Sequence, residues 1–425
     1  MRAENSGVFC PVFVTNCNKF TARHAETGVR CPRVTTADDD ARIQAQDPSE
    51  HYVDGNTLRL LHNGSAAFPE MLAALAGAKQ QVLLEMYWFG SDNIGLQFAD
   101  ALAAAALRGV EVSVIYDAVG SVGSSAGMFT ALRRAGARVL EFNPIAPWKQ
   151  RFRLSKLTRR DHRKILVVDG RVGFTGGINI ADYWLPLDVG GAGWRDDMVR
   201  IDGPAVQGLC DCFARVWARL RGPKLLLTGF MRMQPKTPES PVRGQAVQVL
   251  GQRFLRTQRQ ISRAYLHYLR RAERRIFIAN SYFVPDGRVL RALGDAARRG
   301  VDVRIIVAGQ SDVDIVRHAS RAVWGRLLRA GVRIFEWDES VLHAKSAVVD
   351  SAWSTIGTFN FDYLSLRLNL EVNVSVLDAR FAHALEASFL GDFELCREVS
   401  RVDFRFRPLG QRLLEFIAYR LRKFL

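Results

Sequence analysis

Apolar positions come in short β-rich runs that alternate with helix-like stretches, and the whole order occurs twice along the chain. In the first half, Val82–Leu84 leads into Glu-Met-Tyr-Trp-Phe, Gln97–Arg108 reads as a helix closed by Gly109, and Val110–Tyr116 alternates as a strand. A second helix-like stretch, Met128–Ala135, stops at Gly136 before Arg138–Phe142. The second half repeats this: Ile276–Ala279 leads into Asn-Ser-Tyr-Phe-Val, helix Val289–Arg299 stops at Gly300, and Val301–Val307 is a strand. Arg317–Arg329 then runs to Gly331 and is followed by Val332–Trp337. Glycine just past a helix accepts the left-handed turn that closes it, so these glycines mark equivalent helix ends. Strands alternating with helices of this length predict an α/β protein with mixed, mostly parallel sheets covered on both faces.

The pattern divides the chain into a loose polar extension (1–54), two homologous lobes (55–232 and 233–400) and a basic tail (401–425). The lobes meet in Gly222–Gly244, where Pro223, Pro235, Pro238 and Pro241 read as a linker. In the extension, Cys10, Cys17, His24 and Cys31 lack the close pairs of a zinc site, so no metal is expected. The six cysteines give no disulfide framework.

Both halves contain the same polar phrase. Residues 162–179 read HRKILVVDGRVGFTGGIN and residues 343–360 read HAKSAVVDSAWSTIGTFN. Each has a His, a Lys two positions on, an Asp five beyond the Lys, a Gly after six more residues and an Asn three later. Alternate residues of a strand share a face, so His162 projects with Lys164 and His343 with Lys345. Paired imidazoles and ammonium groups, Asn179 and Asn360, and backbone opened by Gly177 suit a phosphodiester. One neutral imidazole can attack phosphorus while the other protonates the leaving alkoxide. The symmetry of the phrases leaves open which does which.

The doubled phrase resembles the HKD signature of the phospholipase D superfamily, over roughly residues 55–400. The blocks GWRDDMVRIDGPAV (193–206), NSYFVPD (280–286), RRGVDVRIIVAG (298–309) and LSLRLNLEVNV (364–374) are similar to bacterial cardiolipin synthases of the B type, which lack N-terminal membrane spans. The resemblance implies two α/β/α lobes facing across a pseudo-twofold axis. It also implies a covalent phosphatidyl-histidine on His162, with His343 acting first as acid and then as base. Glu371 would stand behind His162 and Asp196 behind His343. Asp169 and Asp350 complete the signature, in a position that suits bracing a strand-turn better than touching substrate. Thr358 departs from the serine frequent there and keeps the hydroxyl. The implied reaction joins two phosphatidylglycerols, releases glycerol and needs no cofactor. Lipid hydrolysis is the alternative, and a nuclease a more distant one.

The net charge of +16 and pI near 10 suit a polyanion, either nucleic acid or an anionic membrane. Lys149–Lys164 is strongly basic, with Trp148, Phe152 and Leu154 interleaved, and the tail places Leu409, Leu413, Phe416, Ile417 and Leu421 at helical spacing among arginines. These favour a lipid interface, although the tail pattern would equally suit a helix packed on the protein. No run approaches the roughly 20 apolar residues of a membrane span. With the resemblance, this gives a peripheral enzyme on the cytoplasmic side of a bacterial inner membrane, acting on phosphatidylglycerol rather than nucleic acid. The sequence does not specify an oligomeric state.

Overall fold

The structure, a computed structural model, describes residues 52–149, 151–221, 244–251 and 260–424. Residues 1–51 of the extension, with the Cys/His set, and the proline-rich linker at 222–243 therefore lie outside the described residues.

The first half contains β1 (Val53–His62), α1 (Asn63–Ala76), β2 (Gln81–Met86), α2 (Asn93–Leu107), β3 (Glu111–Asp117), α3 (Ala126–Arg134) and β4 (Arg138–Phe142). It continues with β5 (Lys164–Val168), β6 (Val172–Gly176), β7 (Asp197–Asp202) and α4 (Val206–Arg221). In the second half come β8 (Gln245–Gly251), α5 (Gln260–Arg271), β9 (Arg275–Asn280), α6 (Gly287–Arg298), β10 (Asp302–Gln310), α7 (Asp314–Arg329) and β11 (Arg333–Val341). There follow β12 (Lys345–Val349), β13 (Trp353–Gly357), α8 (Tyr363–Arg367), β14 (Val372–Leu377), α9 (Ala379–Leu395), β15 (Arg397–Glu398), α10 (Arg401–Arg405) and α11 (Leu409–Arg420). Gly109, Gly136, Gly300 and Gly331 all take positive φ (+89°, +102°, +93°, +96°), as closing turns after helices require.

Strand order is β15-β11-β10-β9-β12-β13-β14-β8-β1-β7-β6-β5-β2-β3-β4, so the two halves are mirror lists joined where β1 pairs β8. Among the described strands, only β2-β3-β4 and β9-β10-β11 run parallel; the remaining strand pairs are antiparallel. This corrects the expectation of a mostly parallel sheet. The helical crossovers impose parallel pairing, but each His phrase forms a tight hairpin, β5-β6 or β12-β13, and hairpins are antiparallel.

One apolar core is common to both halves. Helices α4 and α9 pack there through Leu209, Phe213, Trp217, Phe381, Phe389 and Phe393 against Ile165, Val199, Phe277, Val348 and Val374. A second core lies under α1, α2 and α3, around Phe68, Phe98, Leu102 and Phe129. The shared core seats β5 and β12 in one body, and with them the starts of both His phrases. Among the described residues, no helix is long and apolar enough to cross a membrane.

Candidate active site

Each histidine lies just before its strand and is tied to the other half by a lone β-bridge, Asp161↔Leu370 or Arg195↔Leu342. His162 N–H donates to the Leu370 carbonyl (3.0 Å), and His343 N–H donates to that of Arg195 (2.8 Å). Leu370 and Arg195 immediately precede Glu371 and Asp196. The backbone register therefore delivers each carboxylate to the opposite histidine. His162 Nδ1 is 3.1 Å from Glu371 Oε2, and His343 Nδ1 is 2.6 Å from Asp196 Oδ2.

Lys164 Nζ donates to the His162 carbonyl (2.8 Å), and Lys345 Nζ makes the equivalent bond to His343. Both lysines are fully buried. Asn179 Oδ1 accepts from the Trp88 N–H (3.1 Å) and Asn360 Oδ1 from the Ser281 hydroxyl (2.9 Å), which orients both amides. Gly177 and Thr358 hold equivalent positions with different work. Asp196 lies so close over Gly177 that a Cβ there would stand 2.0 Å from its Oδ1, whereas the Thr358 hydroxyl donates to Glu371.

Asp169 and Asp350 stand at the far ends of β5 and β12 from the lysines. Each adopts positive φ (52° and 54°) and accepts three backbone N–H groups, from Lys79, Gln80 and Gln81 or from Glu273, Arg274 and Arg275. They fasten the hairpin turn to the strand beside it, the bracing position expected from the sequence.

The two histidines differ electrostatically. Burial, then Lys164, holds the His162 imidazole below its ordinary range against the pull of Glu371. Burial alone would raise Glu371, but His162, the Thr358 hydroxyl and Lys164 outweigh it and keep the carboxyl below its usual value. Burial pushes Asp196 up to about 7, even against Lys345 and the Trp184 N–H. His343 is held well below its ordinary value by burial and then by Lys345 and Lys164. The close His343–Asp196 pair thus takes up one proton near neutrality, while Glu371 stays an anion. Burial, then Lys345, brings Lys164 down to about 7; burial brings Lys345 to about 8.

Several residues were not found by reading the sequence. Trp184 Nε1 donates to Asp196 Oδ2 (2.9 Å), and the Trp184 ring lies edge-on to His343 with centroids 5.4 Å apart. Tyr87 packs edge-on to His162 (4.9 Å), with Lys164 Nζ 5.1 Å from its ring centre. Arg195 bonds Asp392 of α9 through Nε (3.1 Å) and Nη2 (2.7 Å), clamping the segment that delivers Asp196 to the second half. For Tyr87 and Trp184 the signal was the local density of aromatics in Met-Tyr-Trp-Phe and Asp-Tyr-Trp; the Arg195–Asp392 contact had none.

The family described as "Cardiolipin synthase, PLD-like domain" matches residues 71–205 and 265–393, taking in both His phrases and both carboxylates. The chain belongs to that family. A cardiolipin synthase of Geobacillus kaustophilus (strain HTA426) is 36% identical over 359 residues, 84% of this chain and 70% of the relative. Cardiolipin synthase A of Pseudomonas putida (strain GB-1) is 36% identical over 370 residues, 85% of this chain and 74% of the relative. That relative has the A-type name, whereas the sequence blocks resemble the B type. Among solved structures, the phosphatidylserine synthase of Haemophilus influenzae Rd KW20 matches with a TM-score of 0.70 over 91% of this chain and 99% of that one. At 13% identity, the likeness is one of fold.

Proposed function

We propose that the protein is a phosphatidyltransferase that makes cardiolipin from two molecules of phosphatidylglycerol. The observation carrying this reading is the pair of imidazoles, each buttressed by a carboxylate from the opposite half, in a chain of the cardiolipin synthase family.

Ionised Glu371 accepts the His162 Nδ1–H, which leaves a lone pair on Nε2. Burial and Lys164 keep that ring neutral, and with an anionic rather than a protonatable carboxylate behind it, His162 takes the part of the nucleophile. Nε2 attacks phosphorus, and a P–N bond forms as the P–O bond to the glycerol headgroup breaks. The His343–Asp196 pair gives its proton to the departing glycerol oxygen. A headgroup hydroxyl of a second phosphatidylglycerol then loses its proton to His343 and attacks phosphorus, and the P–N bond breaks. Lys164 and Lys345 neutralise the non-bridging oxygens throughout, with the amides of Asn179 and Asn360 as added donors. One phosphodiester is exchanged for another, so no external energy source is required. Asp196 and Glu371 act as positioning groups through the rings they hold.

A phospholipid substrate and a surplus of +16 suit peripheral attachment to an anionic membrane, on the cytoplasmic face of a bacterial inner membrane. The test is purified protein given phosphatidylglycerol in mixed micelles. Cardiolipin and glycerol should appear in equal amounts. Phosphatidic acid as sole lipid product would make the protein a hydrolase instead, and cleavage of DNA with lipid untouched would remove both lipid readings.

A further inference from the structure

Helix α11 is inside out for a helix packed on a soluble protein. Its one acidic residue, Glu415, is 1% exposed and held by Arg321 Nε (3.1 Å) and Arg407 Nε (2.8 Å). Ala418 is equally buried, against Val284, Val316 and Ala319. The opposite face turns apolar side chains to the outside: Leu409, Leu413, Phe416 and Ile417, the last three 60%, 58% and 47% exposed. Phe406 before the helix and Phe424 after it extend the same strip, at 75% and 80% exposure. Helical spacing places the four residues of the helix on one side, and Phe406 and Phe424 flank its two ends. The side that carries Glu415 and Ala418 packs on the protein, and the apolar side is left facing out.

Exposed Arg405, Arg412, Arg420 and Lys423 are interleaved with this strip. An apolar strip fringed by cations fits an anionic bilayer surface, which takes the side chains into its acyl boundary and the cations among its phosphates. A second copy is a poorer fit, because it would bring like charges together on chains that each hold +16. The helix is also seated beside the site. Its inner face rests on Tyr282 and Val284, which follow β9 directly after Ser281, the residue bonded to Asn360. Arg422, just beyond the helix, lines a cleft with Phe359, Phe361, Asp362, Tyr363 and Leu366.

We propose that the outward face of α11, with Phe406 and Phe424, docks on an anionic phospholipid surface and holds the active-site entrance against it. This deepens the proposed function, resting on a phospholipid substrate, and names the surface by which that substrate is reached.

The test is flotation of the full chain with vesicles of equal parts phosphatidylglycerol and phosphatidylcholine, and with phosphatidylcholine alone. Turnover of monomeric short-chain phosphatidylglycerol is measured alongside. The parent should float with the anionic vesicles, less so as salt rises, and poorly with phosphatidylcholine. Leu413→Glu and Phe416→Glu lie on the exposed face and leave the Glu415 contacts in place. Each should lower partition about tenfold while short-chain turnover stays at the parent's value. Unchanged flotation of both variants would overturn the proposal. So would a parent dimer that these variants split into monomers, since the face would then belong to a second copy. If no protein converted the short-chain lipid, the catalytic reading would fail, and flotation would still decide the docking face.

Discussion

Glu371 Oε2 sits 3.1 Å from His162 Nδ1, although the two side chains are 209 positions apart and come from opposite halves. Bonding of Leu370 with Arg160 and His162 sets that distance, so the carboxylate is aimed by backbone register rather than by its own rotamer alone. Glu371→Gln keeps the shape but removes the anion that fixes the tautomer and offsets charge on the ring. Turnover should fall on the order of a thousandfold, with vesicle binding unchanged. Steady-state rates alongside flotation check this.

Trp184 is the corresponding support on the other side. Trp184→Phe keeps an aromatic ring beside His343 but loses the N–H that bonds Asp196. That bond lowers Asp196, so its loss should move the alkaline limb of the rate profile to higher pH and reduce kcat about tenfold. A purely structural tryptophan would leave the limb where it is.

Asp169 should matter to the fold and not to the chemistry. Asp169→Ala removes three N–H contacts and puts a poorly suited residue at φ 52°. A loss of roughly 2–4 kcal/mol of stability is expected in urea unfolding. The rate per folded molecule should stay within about twofold of the parent, since Asp169 contacts neither histidine. The equivalent change at Asp350 should behave alike.

Much of this was legible in the chain because it was written twice. Matching Gly109 with Gly300 and His162 with His343 placed the halves in register, and the strand period put each lysine on the face of its histidine. Glu371 and Asp196 came from resemblance to a family, since nothing local to Asn-Leu-Glu or Trp-Arg-Asp says which histidine it will meet. Trp184 and the Arg195–Asp392 clamp stayed hidden for the same reason: they are contacts across folded distances, without local spacing. The outward face of α11 was ambiguous because the helical period shows that one side is apolar, not which side the protein covers. Burial of Glu415 between Arg321 and Arg407 decides that.

Protonation should set the alkaline side of activity. Lys164 near 7, Lys345 near 8 and the Asp196 carboxyl near 7 all lose protons as pH rises through that range. Each loss weakens the hold on a phosphate anion or removes the proton for the leaving glycerol. Accordingly, kcat/KM should decline from about pH 7 to 9. Bound phosphate restores the lysine protons, so the limb in kcat should lie higher. His162, held below its ordinary range, should impose no loss near neutrality.

Stability should also depend on pH through Asp362, which burial raises to about 8 despite its bond from the Ser365 N–H. A carboxyl raised on folding favours the native state below its unfolded value and loses that contribution as pH climbs through the folded one. Asp362→Asn can still accept the Ser365 bond, and should flatten the fall in Tm between about pH 4 and 8.

The central claim is that His162 takes the phosphatidyl group. The direct measurement uses His343→Ala with a phosphatidyl ester of p-nitrophenol, whose leaving group needs no acid. The variant should release one nitrophenolate per site in a burst and then stall. Mass spectrometry should find the phosphatidyl adduct on the peptide containing His162. An adduct mapped to any other residue, or a burst retained by His162→Ala, would contradict the account.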